Sequence, residues 1–200
     1  FIGDAVMAFW NAPRPAADHA LRACRAVLAC LRATRELYAS PAWGGLKPLV
    51  TRYGLHTGRV LVGHFGAPDR FSYTALGDGV NLAARLEGLC KQYGLVTLAS
   101  EAVVQAVGDA MSFRLVDQVA VKGKHQAVRV YELLEGPRPE LRAYEDAFQA
   151  YLARDFEGAR ARLSPLLDDP PSRVLHARCE ALLAHPPPPD WDGVYVAKSK

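Results

Sequence analysis

The sequence predicts an α+β fold, with helices packed on a mixed or antiparallel sheet. Three observations lead there. Apolar runs of period two alternate along the chain with stretches of period 3.6. Several strand pairs are joined by short glycine turns, which mixes hairpins among the helices. The segment Glu135-Gly-Pro-Arg-Pro139 then breaks the alternation, and only helical patterning follows it. At 200 residues, half of them hydrophobic, the chain suits one globular domain or one and a half.

The elements follow in order. Residues 1–10 read as a hairpin: Phe1 and Ile2 end one strand, Gly3-Asp4 makes a tight turn, and residues 5–10 form an apolar second strand. Asn11-Ala-Pro-Arg-Pro15 is a loop, because its prolines fix φ and remove donors. A helix is predicted over residues 18–38, with Leu21, Cys24, Leu28 and Leu31 on one face and Arg22, Arg25, Arg32 and Arg35 on a solvated face. Strands at 49–56 and 59–65 join around Thr57-Gly58. A strand at 71–75 enters a helix that ends near Tyr93, with Gly94 as its C′ residue. A short buried strand at 95–99 leads to Ser100, a candidate N-cap for a helix to about Val107. Residues 113–121 and 127–134 form a last hairpin around Lys122-Gly-Lys-His125.

Beyond 139, helices are expected at 141–153, 156–167 and 172–183, with Pro170-Pro171 as a break. Tyr144, Ala147, Tyr151, Phe156 and Ala159 have the small/aromatic alternation of a helical-repeat hairpin. One such pair cannot bury its own apolar face, so it must pack on the rest of the chain or on a partner. The proline run 186–189, Trp191 and a loose tail at 197–200 close the chain.

Bulk properties exclude several function classes. A formal charge of +3 with no block of like charges gives no argument for nucleic acid. The four cysteines, Cys24, Cys30, Cys90 and Cys179, contain no C-x-x-C pair, so neither a zinc site nor a disulfide framework is expected. No apolar run of membrane-spanning length occurs. The absence of a G-x-x-x-x-G-K-[ST] pattern removes a P-loop enzyme.

The most informative segment is Phe71-Ser-Tyr-Thr-Ala-Leu-Gly-Asp-Gly-Val-Asn-Leu-Ala-Ala-Arg-Leu-Glu87. It places Asn81 and Arg85 four residues apart on one helical face. An amide beside a guanidinium near a helix N-terminus suits a phosphate. Alone, such a pair is usually ordinary surface. It is accompanied, in order, by Phe1-Ile-Gly-Asp-Ala-Val-Met-Ala-Phe-Trp10, His56-Thr-Gly-Arg59 and Val121-Lys-Gly-Lys124. Together these four motifs, over residues 1–135, resemble the class III adenylate/guanylate cyclase catalytic domain of bacterial type.

That resemblance implies a ferredoxin-like, palm-type mixed sheet over residues 1–135, with a small helical extension over 140–200. It implies an adenylate cyclase that converts ATP to 3′,5′-cyclic AMP and pyrophosphate in intracellular signalling, with two Mg²⁺ or Mn²⁺ ions per site. Asp4 matches the family's second metal-binding aspartate. Asn81 and Arg85 match the residues that orient the ribose and stabilise the transition state. Lys122 matches a lysine for the terminal phosphates, with Lys124 the weaker candidate, and Arg59 stands where some members place an arginine near them. Thr74 matches the purine-reading position, and a threonine hydroxyl there favours ATP. Asp78, Asp109 and Asp117 lie outside the metal motifs, and His56 and His64 match no catalytic role.

In the family the metal aspartates and the Asn/Arg pair come from different subunits, which implies a homodimer with shared sites. The resemblance also implies a cytoplasmic catalytic domain and a sensor or membrane domain upstream. The first metal aspartate and the base-reading lysine of the family would precede Phe1. On that reading the domain is N-terminally truncated, and the chain as given is expected to be inactive alone. The rival is a degenerate cyclase-like module that dimerises or binds a nucleotide without catalysis. A diguanylate cyclase ranks lower, since the acidic Gly-Gly signature is missing.

Overall fold

The computed structural model describes residues 3–67, 70–120 and 127–196. In chain order its main elements are α1 (His19–Ala39), β1 (Tyr53–Leu55), β2 (Leu61–Ala67), β3 (Arg70–Leu76), α2 (Asp78–Tyr93), β4 (Thr97–Ser100), α3 (Glu101–Val107), β5 (Ser112–Ala120), β6 (Ala127–Leu134), α4 (Arg142–Leu152), α5 (Phe156–Leu163), α6 (Pro170–Ala184) and β7 (Tyr195–Val196). The main sheet runs β1-β4-β6-β5-β7, and β2 and β3 form a separate antiparallel hairpin. Outer pairs β1·β4 and β5·β7 are parallel and inner pairs antiparallel. The mixed sheet with packed helices is the α+β architecture that the alternating pattern predicts.

Strand alternation sorts the core into two layers. Leu55, Ala99 and Leu133 point to one face, where they meet Ala20, Cys24, Val27 and Leu28 of α1 and Val103 and Val107 of α3. Their neighbours Leu98 and Val130 point to the other face and meet Leu82, Leu86, Cys90 and Tyr93 of α2. Helix α2 lies close on β1. A β-carbon at Gly54 would stand 2.0 Å from the Ala83 carbonyl oxygen and 2.5 Å from the Glu87 amide nitrogen.

Several expectations need correction. In the expected hairpin at 1–10, Phe1 and Ile2 lie outside the described residues. Ala5 makes a single bridge and residues 6–10 form no strand, because no described strand offers them a ladder. The strand expected over 49–56 shrinks to Tyr53–Leu55, where β4 provides the pairing. Ser100 precedes α3, but its side chain caps nothing and instead shares a hydrogen bond with His56 Nδ1 (2.8 Å). Pro170 and Pro171 do not break a helix. They open α6, since proline at the first helical positions removes a donor that would have no intrahelical partner. The loose tail at 197–200 lies outside the described residues.

The C-terminal helices pack on the sheet. Tyr144, Ala147, Phe148, Tyr151, Phe156, Ala159, Leu163, Leu175 and Cys179 form one buried cluster, joined by Leu115 of β5 and by Trp191. The Tyr144 hydroxyl donates to the Val116 carbonyl. Arg114 of β5, 2% exposed, pairs with Glu132 of β6 and with Asp169, the N-cap of α6. Burial raises the Glu132 carboxyl above its ordinary range, and the Arg114 guanidinium works against that shift. The chain then returns as β7, parallel to β5, a strand that the sequence did not announce.

Candidate active site

The core face of α2 fixes where Asn81 and Arg85 lie. Leu82, Leu86, Cys90 and Tyr93 are buried at helical spacing. Asn81 and Arg85 each precede a buried leucine, so they sit one above the other along an exposed flank. Gly77, with φ at 141°, turns β3 into the helix and accepts from the Val80 and Asn81 amides (3.1 and 3.4 Å). That φ is one which side-chain-bearing residues rarely adopt. Arg85 makes no ion pair or side-chain hydrogen bond with any described residue. An exposed guanidinium without such a partner is available to an anion.

The loop between β1 and β2 packs on the first turn of α2. A β-carbon at Gly79 would lie 3.2 Å from His56 Cδ2 and 3.3 Å from Val60 Cγ1, and one at Gly77 would lie 3.9 Å from the Arg59 carbonyl oxygen. The Arg59 backbone therefore borders the start of α2, and its side chain is exposed. Two histidine contacts hold this loop: His56 with Ser100, and His19 Nε2 with Thr57 Oγ1 at 2.9 Å. Sequence spacing gives no sign of these partners, which are 44 and 38 residues apart.

Thr74 is half-buried on β3, opposite Gly63 of β2, and three residues before the Gly77 turn. Its neighbour Tyr73 meets the rings of His64 and Phe9 at 5.1 and 5.9 Å. Thr74 and the Arg59 backbone thus lie near the β3-to-α2 turn, and Asn81 and Arg85 follow on the first two turns of α2. Asp4 stands on its own exposed turn, and no hydrogen bond or ion pair joins it to that group. Lys122 and Lys124 lie outside the described residues.

No cluster of three or more His, Cys, Asp or Glu among the described residues could hold a metal. The described candidate is a single exposed carboxylate. That donor set fits Mg²⁺ or Mn²⁺ binding in which phosphate oxygens and water supply most ligands, not a dedicated protein cage. Asp117 is excluded on other grounds. It is 1% exposed and holds a two-pronged ion pair with Arg178 (3.1 and 2.7 Å). A cleft of about 450 Å³ lies between α1 and the end of β6. Arg35, Tyr38, Val50 and Glu135 line it, and none of the candidate residues does. Arg59, Asn81 and Arg85 are exposed, and Thr74 is half-buried.

Comparison with known proteins gives a consistent answer. Residues 1–135 match the family model of the adenylate and guanylate cyclase catalytic domain. The chain is 43% identical over 134 residues to adenylate cyclase 1 of Rhizobium meliloti, covering 67% of this chain and 20% of that protein. It is 35% identical over 195 residues to the terminal-differentiation-specific adenylate cyclase of Dictyostelium discoideum, covering 90% of this chain and 9% of that one. The second match therefore runs on into the C-terminal helices. The chain spans a fifth or less of the length of these two relatives. Among solved structures, the adenylyl cyclase CyaB from P. aeruginosa aligns with a TM-score of 0.56 at 29% identity, covering 65% of this chain and 66% of that one. The guanylyl cyclase Cya2 aligns with a TM-score of 0.54 at 29% identity, covering 64% of each chain. With two thirds of its residues inside the family model and its fold shared with these structures, the chain belongs to the adenylate and guanylate cyclase catalytic domain family.

Proposed function

We propose that this domain is an adenylate cyclase, forming 3′,5′-cyclic AMP and pyrophosphate from ATP. The observation that carries the reading is the pair Asn81 and Arg85, exposed side by side at the start of α2 behind the Gly77 turn. The matched adenylate cyclases support the choice of ATP, as does the threonine at position 74.

The 3′-oxygen of the ribose attacks the α-phosphorus. An O–P bond forms, the bond from the α-phosphorus to the bridging oxygen breaks, pyrophosphate leaves with its electron pair, and the 3′-hydroxyl proton passes to water. Arg85 holds the negative charge that grows on the α-phosphoryl oxygens, a fixed donor aimed where charge develops. Asn81 orients the ribose so that its 3′-oxygen lies in line with the leaving group. Thr74 accepts from the adenine amino group, and Arg59 and Lys122 offset the charge of the terminal phosphates. Asp4 would hold Mg²⁺ or Mn²⁺, which supplies a lowered hydroxyl pKa and charge screening on the triphosphate.

The site residues Arg59, Asn81 and Arg85 are exposed, and the β2–β3 hairpin beside them exposes large apolar side chains. Leu61 is 65% and Phe71 61% accessible. Both features support a homodimer whose two chains complete each site between them. The length of the relatives supports further domains, including a sensor or membrane domain, in the full-length protein. No helix among the described residues is long and apolar enough to cross a membrane. A cytoplasmic site, where ATP is made available, accords with the proposed reaction.

The test is incubation of the natural full-length protein with Mn²⁺ and either ATP or GTP, with products identified by mass spectrometry. Cyclic AMP from ATP is expected. Arg85→Ala should lower kcat by about 10²–10³-fold with the fold retained. Near-normal turnover in that variant would remove Arg85 from the mechanism. A folded dimer that makes no cyclic nucleotide yet binds ATP would be the non-catalytic module instead.

A further inference from the structure

We propose that α6 of the C-terminal segment braces the far end of α2, and that Arg178 is a positioning residue for Asn81 and Arg85. This rests on the catalytic reading of that pair. Its physical basis is separate from it.

Three contacts one helical turn apart lay a single face of α6 against the end of α2. Pro170 comes first. A β-carbon on Gly94, the residue that ends α2 at φ 64°, would stand 2.7 Å from Pro170 Cβ. Val174 comes next and packs against the cluster of Leu82, Leu86, Cys90 and Tyr93. Arg178 comes last. Its guanidinium donates to both carboxylate oxygens of Asp117 (3.1 and 2.7 Å), and the Tyr93 hydroxyl donates to Asp117 Oδ2 at 2.6 Å. Asp117 sits where the register of β5 shifts against β6, so the bulge aims this carboxylate between two helices.

The relay is enclosed from the other side too. The Arg178 guanidinium carbon lies 4.0 Å from the Tyr195 ring centroid and 5.7 Å from that of Tyr151. Tyr195 belongs to β7, which is itself paired to β5. Segment 140–196 is therefore tied to the sheet at β7 and to α2 through α6. Tyr93 is the last residue of α2 and 1% exposed. Burial, and then the Asp117 carboxylate, hold its phenol above the ordinary range, so it remains a donor at any working pH.

The leverage follows from helix geometry. Eight residues separate Arg85 from Tyr93, or about 12 Å of helix. A tilt of roughly 5° about the Tyr93 end would displace Arg85 by about 1 Å, a misplacement able to cost about a hundredfold in rate. Substrate binding, spread over Thr74, Arg59 and Lys122 as well, depends less on this tilt than does transition-state stabilisation by Arg85. Loss of the brace should therefore lower kcat more than it raises KM.

The experiment uses the natural full-length protein with Arg178→Met, Arg178→Lys and Tyr93→Phe. Arg154→Met serves as control: Arg154 holds the carbonyls of Pro187, Pro188 and Pro189 in the same segment, with no bond to α2. Amide exchange across α2 is followed by mass spectrometry, together with kcat and KM for Mn²⁺–ATP. Arg178→Met and Tyr93→Phe should speed exchange in α2 and lower kcat about tenfold or more, with KM within about twofold. Arg178→Lys should recover part of both losses, and Arg154→Met should change neither. Unchanged exchange in α2 and unchanged kcat for Tyr93→Phe would overturn the brace, whether or not Arg178→Met folds. Equal effects of Arg154→Met and Arg178→Met would also overturn it, as general destabilisation. If the parent protein makes no cyclic nucleotide, the catalytic reading fails, and exchange in α2 alone decides the brace.

Discussion

Gly54→Ala is the sharpest perturbation of the α2–sheet contact. Gly54 has an ordinary φ, so the substitution adds no backbone strain of its own. What it adds is one methyl group, 2.0 Å from the Ala83 carbonyl oxygen and 2.5 Å from the Glu87 amide nitrogen. Both atoms are helix backbone, which cannot swing away as a side chain can. Relief to a contact of about 3 Å requires α2 to retreat from β1 by about 1 Å over one turn. Forcing one extra methyl into a packed layer costs about 1–3 kcal/mol. With a urea dependence of about 2 kcal/mol/M, the unfolding midpoint should fall by about 0.5–1.5 M. The assay is urea unfolding followed by far-ultraviolet circular dichroism, with cyclase turnover measured in native buffer. Turnover should fall as well, because the turn that retreats, Ala83–Glu87, carries Arg85. An unchanged midpoint with unchanged turnover would mean that α2 does not rest on Gly54 as described.

Three further predictions concern other parts of the molecule. Burial pushes the Cys24 and Cys179 thiols up to about 11 and Cys90 up to about 12, whereas Cys30 is exposed. A thiol reagent at pH 8 should therefore label Cys30 quickly and the other three only on unfolding; rapid labelling of Cys90 would contradict its place on the buried face of α2. Because these folded values lie above the ordinary 9.0, the stability they contribute is complete below pH 9. It is lost as pH rises through about 11 to 12, which alkaline unfolding would read. Asp169→Ala removes both the N-cap of α6 and one partner of buried Arg114, at a cost of about 2–4 kcal/mol. Asp169→Asn, which keeps a cap acceptor, should cost less, and equal losses in thermal unfolding would deny the cap its share.

The sequence by itself determined the family and most elements, because their causes are local. Glycine at 77, an apolar stripe at 82, 86, 90 and 93, and Gly94 at the end specify a strand, a turn and a helix within 20-odd residues. The stripe places Asn81 and Arg85 together on the opposite flank without any tertiary information. The four ordered motifs fixed the likeness to a cyclase domain for the same reason. Other features were settled only by the tertiary structure, because they depend on partners distant in sequence. An apolar run such as 5–10 becomes a strand only beside another strand. Ser100 left its capping role because His56, 44 residues earlier, offered a hydrogen bond. Asp117 looked like any strand acid until Arg178 and Tyr93 closed on it from two helices. Proline at 170 read as a break because its helix is set by the Asp169 cap and by packing, not by propensity. Local pattern thus wrote the elements and the motif, and long-range pairing decided how α2 and its flanking residues are held.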